Sequence, residues 1–143
     1  MQGQIRWEGD VRFRAQTGSG HELTLDGPTA SGGDNAGPRP MELMLLGVGA
    51  CASYDVVMIL KKSRQAVTGC VARLEAHQEH DPPRVFTRMH LHFVVTGHDL
   101  SLRKVTRAVR LSVDTYCPAS ITLQRSGVVV EHSVEVVHEA QPG

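Results

Sequence analysis

No sign of charge predominates in this chain: 15 Lys and Arg residues are balanced by 15 Asp and Glu. A nucleic-acid-binding domain normally carries a basic excess, so bulk charge gives no support to that class. Paired cysteines are missing as well. Cys51, Cys70 and Cys117 are odd in number and lie 19 and 47 residues apart. That pattern fits neither a secreted disulfide framework nor a zinc site built on CxxC pairs. The N-terminus has no basic stretch followed by an apolar one, so no secretory signal is expected and the cytoplasm is the default location. Repeats and low-complexity tracts are absent. The uncharged run Leu43 to Tyr54 has 12 residues, short of the ~20 that a bilayer span needs, so no membrane partner is expected.

What is present is alternation. Ile5 and Trp7, then Val11, Phe13 and Ala15, then Leu23 and Leu25 mark three short strands broken by Gly9-Asp10 and by Thr17 to Gly20. Period-2 patterning with such breaks predicts an N-terminal antiparallel meander. The 14 residues from Gly27 to Pro40, GPTASGGDNAGPRP, are rich in Gly, Pro and small polar residues. They predict a loop, long enough to serve a site.

Pro40 suits the first turn of a helix expected over about residues 41–65. Its faces are apolar nearly all round until Lys61, and such a helix must be surrounded by protein. Two long strands follow, TGCVARLEAHQEH and VFTRMHLHFVVTG, separated by Asp81-Pro82-Pro83. Val85, Met89, Leu91, Phe93 and Val95 point inward, leaving Arg88, His90 and His92 on a wet face. A second helix is expected over about residues 101–116, with Ser101 as its N-cap and an end at Cys117 imposed by Pro118. A short third helix and a last strand complete a βββ-α-ββ-α-α-β order. That order predicts a single α+β domain over residues 1–143, with helices on one side of largely antiparallel sheet.

Among possible ligands, His90 and His92 stand two apart on one strand face, and His77 belongs to the neighbouring strand. Without a further carboxylate or cysteine to close the shell they read as a solvated face, and no metal is expected. Cys70 alternates with Ala72 and Leu74 and reads as core. Cys117 ends one helix and starts another, so opposite dipole ends compete for its thiol. Cys51 lies deep in the first helix with Asp55 four residues on, on the same face. A reactive Cys51 thiolate then needs a positive group from elsewhere, for which Arg12, Arg14 and Arg39 are candidates.

The segment PMELMLLGVGACAS, with Cys51 11 residues after Pro40, and YCPAS, with Cys117 66 residues after Cys51, together resemble the OsmC/Ohr family of thiol-dependent hydroperoxide reductases. The order of strands, loop and helices follows that family over essentially the whole chain. RPMELMLLGVGACASYDVVMILKKSRQ is similar to a branch of small uncharacterised OsmC-like proteins. The resemblance implies an OsmC-like fold, an intertwined homodimer with its long helices buried centrally and a site at the subunit interface. It implies that Cys51 is the peroxidatic cysteine, reducing an organic hydroperoxide or hydrogen peroxide, and Cys117 the resolving one. It also implies that an external dithiol restores both thiols and that no metal, haem or flavin takes part. The family's acid directly after the proline is here Met41. Glu42, one residue later, falls opposite Cys51 on the helix, and Asp55 is the other acid available to anchor an arginine. Two alternatives stay open: a non-catalytic dimer binding a small apolar ligand in an interfacial pocket, and a hydrolase or transferase with Cys51 as nucleophile.

Overall fold

Glycine and asparagine or aspartate at turns, and β-branched or aromatic residues between them, set the strand breaks seen in the computed structural model, which describes residues 1–140. The chain divides into two units, Met1–Met44 and from Leu45 onward, with the boundary inside the first helix.

The first unit holds β1 (Gly3–Trp7), β2 (Phe13–Thr17) and β3 (Glu22–Leu25), paired antiparallel in that order. This is the expected meander, although Val11 lies in the turn rather than in β2. The turns use Gly9 and Gly20 at φ 102° and 92°, conformations that cost glycine nothing. Beyond β3 the Gly- and Pro-rich loop is not loose. Asp26, only 3% exposed, accepts the N–H groups of Gly27 at 2.8 Å and of Asp34 and Ala36 at 3.0 Å each. Gly33 and Gly37 pass so close to backbone that a Cβ on either would overlap a carbonyl oxygen.

Helix α1 (Pro40–Lys62) starts with proline at its first position and is closed by Glu42, whose Oε1 accepts the Arg39 N–H at 2.9 Å. It ends at Lys62, three residues before the expected limit, because Arg64 turns to φ 60°.

In the second unit β4 (Ala66–Gln78) and β5 (Phe86–His98) form the expected hairpin, and β6 (Val129–His138) pairs with β5 in parallel. A parallel neighbour demands a long crossover. Helices α2 (Leu102–Leu111) and α3 (Pro118–Arg125) supply it, joined by a π-helical turn, Ser112–Tyr116. The expected second helix is therefore α-helical only to Leu111. Ser101 caps α2 by accepting the Lys104 N–H at 3.3 Å, as its sequence position suggests.

Core packing follows the alternation. Met89, Leu91, Phe93 and Val95 of β5 are fully buried against Ala52, Val56 and Leu60 of α1 and Val105, Ala108 and Val109 of α2. Val85, expected to point inward, precedes β5 and is exposed. A Cβ on Gly49 would meet the Leu74 side chain, so glycine lets α1 approach β4 closely. By length and composition α1 resembles a membrane span. One side of it nevertheless forms the core of this unit.

Candidate active site

The crossover brings the two spaced cysteines together. Cys51 is half-buried on α1 and packs against the core. Cys117 is wholly buried where the π-helical turn meets α3. Its N–H donates to the Ser112 carbonyl at 2.7 Å, the five-residue span that makes the turn π rather than α. Extended at φ −69°, ψ 107° because Pro118 follows, Cys117 serves as the N-cap of α3, with its Sγ accepting the Ser120 N–H at 3.4 Å.

Cap position does not make this thiol acidic. Burial is the largest influence on Cys117 and, with Cys51 as neighbour, pushes it up to about 11, against the opposing pull of the Ser120 and Ala119 N–H groups. Cys51, its neighbour, adds to this rise by favouring the protonated thiol and by repelling a second negative charge. The competition between dipole ends is therefore settled by desolvation and by the partner sulfur. Near neutral pH Cys117 is protonated, with Cys51 as its neighbour. Cys70 lies outside this pair; it packs against the core and burial raises it too.

Ser112 links the two segments. Its buried Oγ donates to the Ala52 carbonyl, next to Cys51, at 2.7 Å, and its own carbonyl receives the Cys117 N–H. Ser120 Oγ and Gln124 Nε2 both donate to the Val113 carbonyl, at 2.8 and 2.9 Å, and lock the other half of the turn. Sequence reading missed Ser112, Ser120 and Gln124, since polar residues beside an apolar periodicity give no sign of their partners, Ala52 lying 60 residues from Ser112 and Val113 lying 7 and 11 residues from the other two.

Every candidate arginine is engaged within the first unit. Arg12 pairs with Asp34 at 2.8 Å and Asp26 at 3.6 Å. Arg14 lies between Glu8 and Glu22, whose bonds, Glu8's first, hold it more firmly protonated. Arg39 Nη1 donates to Asn35 Oδ1 at 2.6 Å and to the Gly37 carbonyl at 3.1 Å, with Glu42 4.0 Å from its Nε. Glu42 thus both caps α1 and touches Arg39. Asp55 is half-buried and borders a cavity of about 540 Å³, together with Tyr54, Met58, Ile59, Leu111 and Tyr116. Lys62, Ser63 and Arg107 complete its wall.

The wet sheet face carries an unexpected chain of bonds. Ser133 Oγ lies 2.8 Å from His90 Nε2 and 2.6 Å from His92 Nδ1, while Glu131 and Glu135 stand 3.9 and 3.5 Å from the other ring nitrogens. His77 pairs with Arg88 in the ladder, so it stands two ladder positions from His90. Among the described residues no three His, Cys, Asp or Glu side chains converge on a metal-sized site.

A family model described as OsmC-like protein matches residues 32–133, a span that includes both cysteines of the pair. Protein YhfA of Escherichia coli (strain K12) is 42% identical over 137 residues, covering 96% of this chain and 98% of that one. A hypothetical protein from Aquifex aeolicus VF5 has a similar structure, with TM-score 0.83 and 27% identity over 97% of each chain. An organic hydroperoxide resistance protein OsmC from Legionella pneumophila, also described as a predicted redox protein, shares the fold. Its TM-score is 0.73 at 22% identity, covering 94% of this chain and 96% of that one.

Proposed function

Because the chain belongs to the OsmC-like family, we propose that it is a thiol-dependent peroxidase acting on organic hydroperoxides or hydrogen peroxide. The observation that carries this reading is that Cys51 and Cys117 are neighbours at one core, with Cys117 buried and protonated. A relative whose fold it shares is described as a hydroperoxide resistance protein.

In this mechanism the Cys51 thiolate attacks the nearer peroxide oxygen. The O–O bond breaks, the departing alkoxide or hydroxide takes a proton to leave as alcohol or water, and Cys51 becomes a sulfenic acid. The Cys117 sulfur then attacks Cys51, its proton goes to the leaving hydroxyl, and water departs as the disulfide forms. An external dithiol reduces that bond by exchange through a mixed disulfide and leaves as its own disulfide. Thiols carry every electron, passed from the external dithiol through Cys117 and Cys51 to the peroxide, so in this reading the cycle uses no metal or organic cofactor. Burial keeps Cys117 from competing for peroxide and keeps it as the resolving thiol.

The working form in this reading is a homodimer in the cytoplasm. Leu46, Gly47, Ala50 and Tyr54 make an exposed stripe along α1, and Trp7 on β1 is 66% exposed. Exposed apolar surface of this kind, on each unit taken by itself, calls for a protein cover, which a second copy supplies. The partner also offers a route for Arg12, Arg14 or Arg39, held by Glu42 or Asp55, to reach a Cys51 thiolate.

Stopped-flow mixing with cumene hydroperoxide, while free thiols are counted, tests the proposal. Wild type should lose two thiols per chain as peroxide is consumed. Consumption by Cys51→Ser at the wild-type rate would exclude it.

A further inference from the structure

The wet face of the second unit's sheet carries two imidazoles aimed at a single oxygen, a geometry the cysteine chemistry does not use. Alternation along β5 places His90 and His92 two residues apart on that face, opposite the buried Leu91 and Phe93. The parallel register sets Glu131 beside His90, Ser133 beside His92 and Glu135 beside Val94. Ser133 Oγ lies 2.8 Å from His90 Nε2 and 2.6 Å from His92 Nδ1. Behind the rings, Glu135 Oε2 is 3.5 Å from His92 Nε2 and Glu131 Oε2 is 3.9 Å from His90 Nδ1.

That arrangement is one hydrogen short. A neutral imidazole carries one N–H, and a carboxylate beside the outer nitrogen draws the N–H to that side. Both inner nitrogens then present lone pairs to Ser133, whose hydroxyl has one hydrogen and can donate to one of them only. The second lone pair meets oxygen with no hydrogen between. A cation at this point accepts both lone pairs at once. Carboxylates behind the rings are also what orients histidine ligands in metal centres, where they fix the tautomer and raise the basicity of the nitrogen facing the ion.

The surroundings suit a positive ion. Glu75 and Arg73 stand opposite His90 and His92 on β4, and Arg88 Nη1 holds Glu131 Oε1 at 2.7 Å. Three carboxylates thus accompany two guanidiniums around the pair, a local negative excess in a chain that is neutral overall. The side chains of His90 and His92 are 34% and 29% exposed, open enough for an ion to enter from solvent and keep water ligands. Among the described residues no third His, Cys, Asp or Glu reaches the same point, so the protein offers two nitrogens and one hydroxyl oxygen. Imidazole donors select transition metals over calcium and magnesium, which take oxygen ligands.

We propose that His90 and His92 chelate a divalent first-row transition-metal ion, zinc, nickel or copper(II), at the point bridged by the Ser133 hydroxyl. Ser133 Oγ and water complete the shell, and Glu131 and Glu135 face the outer N–H groups. Metal–nitrogen bonds of ~2.0–2.1 Å require the two rings to close on the ion by a small rotation. The site lies across the sheet from the core against which Cys51 packs, and it does not rest on the peroxidase reading.

Isothermal titration of the untagged, full-length protein with Ni²⁺ and with Zn²⁺, in a non-coordinating buffer above the ordinary histidine range, tests it without any peroxide. Each should bind at one ion per chain. The double variant His90→Gln, His92→Gln should lower the affinity at least tenfold, and His80→Gln, at the exposed turn after β4, should change nothing. These side chains lie on the solvent face, and circular dichroism will establish that each variant is folded. In wild type, the first equivalent of Co²⁺ should broaden the ring NMR signals of His90 and His92 before those of the other histidines, with no sulfur-to-metal charge-transfer band. No binding of Ni²⁺ or Zn²⁺ up to millimolar concentration, affinity that survives the double variant, or a first cobalt equivalent bound through sulfur would overturn the proposal. A protein that binds nickel at this pair but leaves hydroperoxides untouched keeps the site and loses the peroxidase reading.

Discussion

Cys117 shows how one buried residue makes stability depend on pH. Its thiol is raised from an ordinary value of 9.0 to about 11, so the folded state holds this proton more tightly than the unfolded chain. That contribution is complete below about pH 9 and is lost as pH rises through 11, about 2–3 kcal/mol in all. Urea unfolding between pH 8 and 11 should show this decline, and Cys117→Ala should flatten it, leaving a smaller slope from Cys70. Asp26 works in the opposite sense. Its carboxyl is held below its usual range, first by the Ala36 N–H and then by those of Gly27 and Asp34 with Arg12, while burial opposes them. The support it gives the loop is present above the ordinary carboxylate range and is lost as pH falls below it. In Asp26→Ala, hydrogen exchange at the amides of Gly27, Asp34 and Ala36 should accelerate at neutral pH. At this scale the cysteine pair was legible only through the resemblance of the segments around Cys51 and Cys117 to the OsmC/Ohr family, whereas the capping of α3 by Cys117 was legible from Pro118 alone. The loop organised by Asp26 was not legible, because an aspartate before glycine signals a turn whether or not three amides converge on it.

At the scale of elements, α1 and the π-helical turn position the pair. Leu60 is fully buried in the core that holds α1, and Leu60→Ala should cost about 2–5 kcal/mol in denaturant unfolding. Ser112→Ala removes the bond to the Ala52 carbonyl, which keeps its helical bond within α1, and should cost about 0.5–1.5 kcal/mol. It should also slow closure of the Cys51–Cys117 disulfide while leaving the first reaction with peroxide near its wild-type rate. Rapid-quench thiol trapping separates the two steps. The π turn escaped sequence reading because Leu102, Val105, Val109, Val113 and Tyr116 keep helical spacing through it, and one inserted residue hardly disturbs that pattern. The hairpin of β4 and β5 was legible from its alternation. The parallel placement of β6 depends on where the crossover returns, which period-2 patterning does not record.

For the whole molecule, the exposed stripe on α1 and the exposed β1 strand argue for assembly. Sedimentation equilibrium should give a dimer mass for wild type. A charge placed in the stripe, Ala50→Glu, should shift the protein toward monomer, because burying an unpaired carboxylate at an interface costs more than the lost contacts repay. A peroxidase cycle asks for something narrower: two thiols on one chain that act in sequence. Intact-mass analysis after one equivalent of cumene hydroperoxide tests this most directly, using wild type and Cys117→Ser with and without a sulfenic-acid trap. Wild type should lose two hydrogens with no trapped adduct, and Cys117→Ser should carry the adduct on Cys51 alone. Peroxide reduction with Cys51 unmodified in both proteins, or a disulfide in wild type that leaves Cys117 free, would contradict the account.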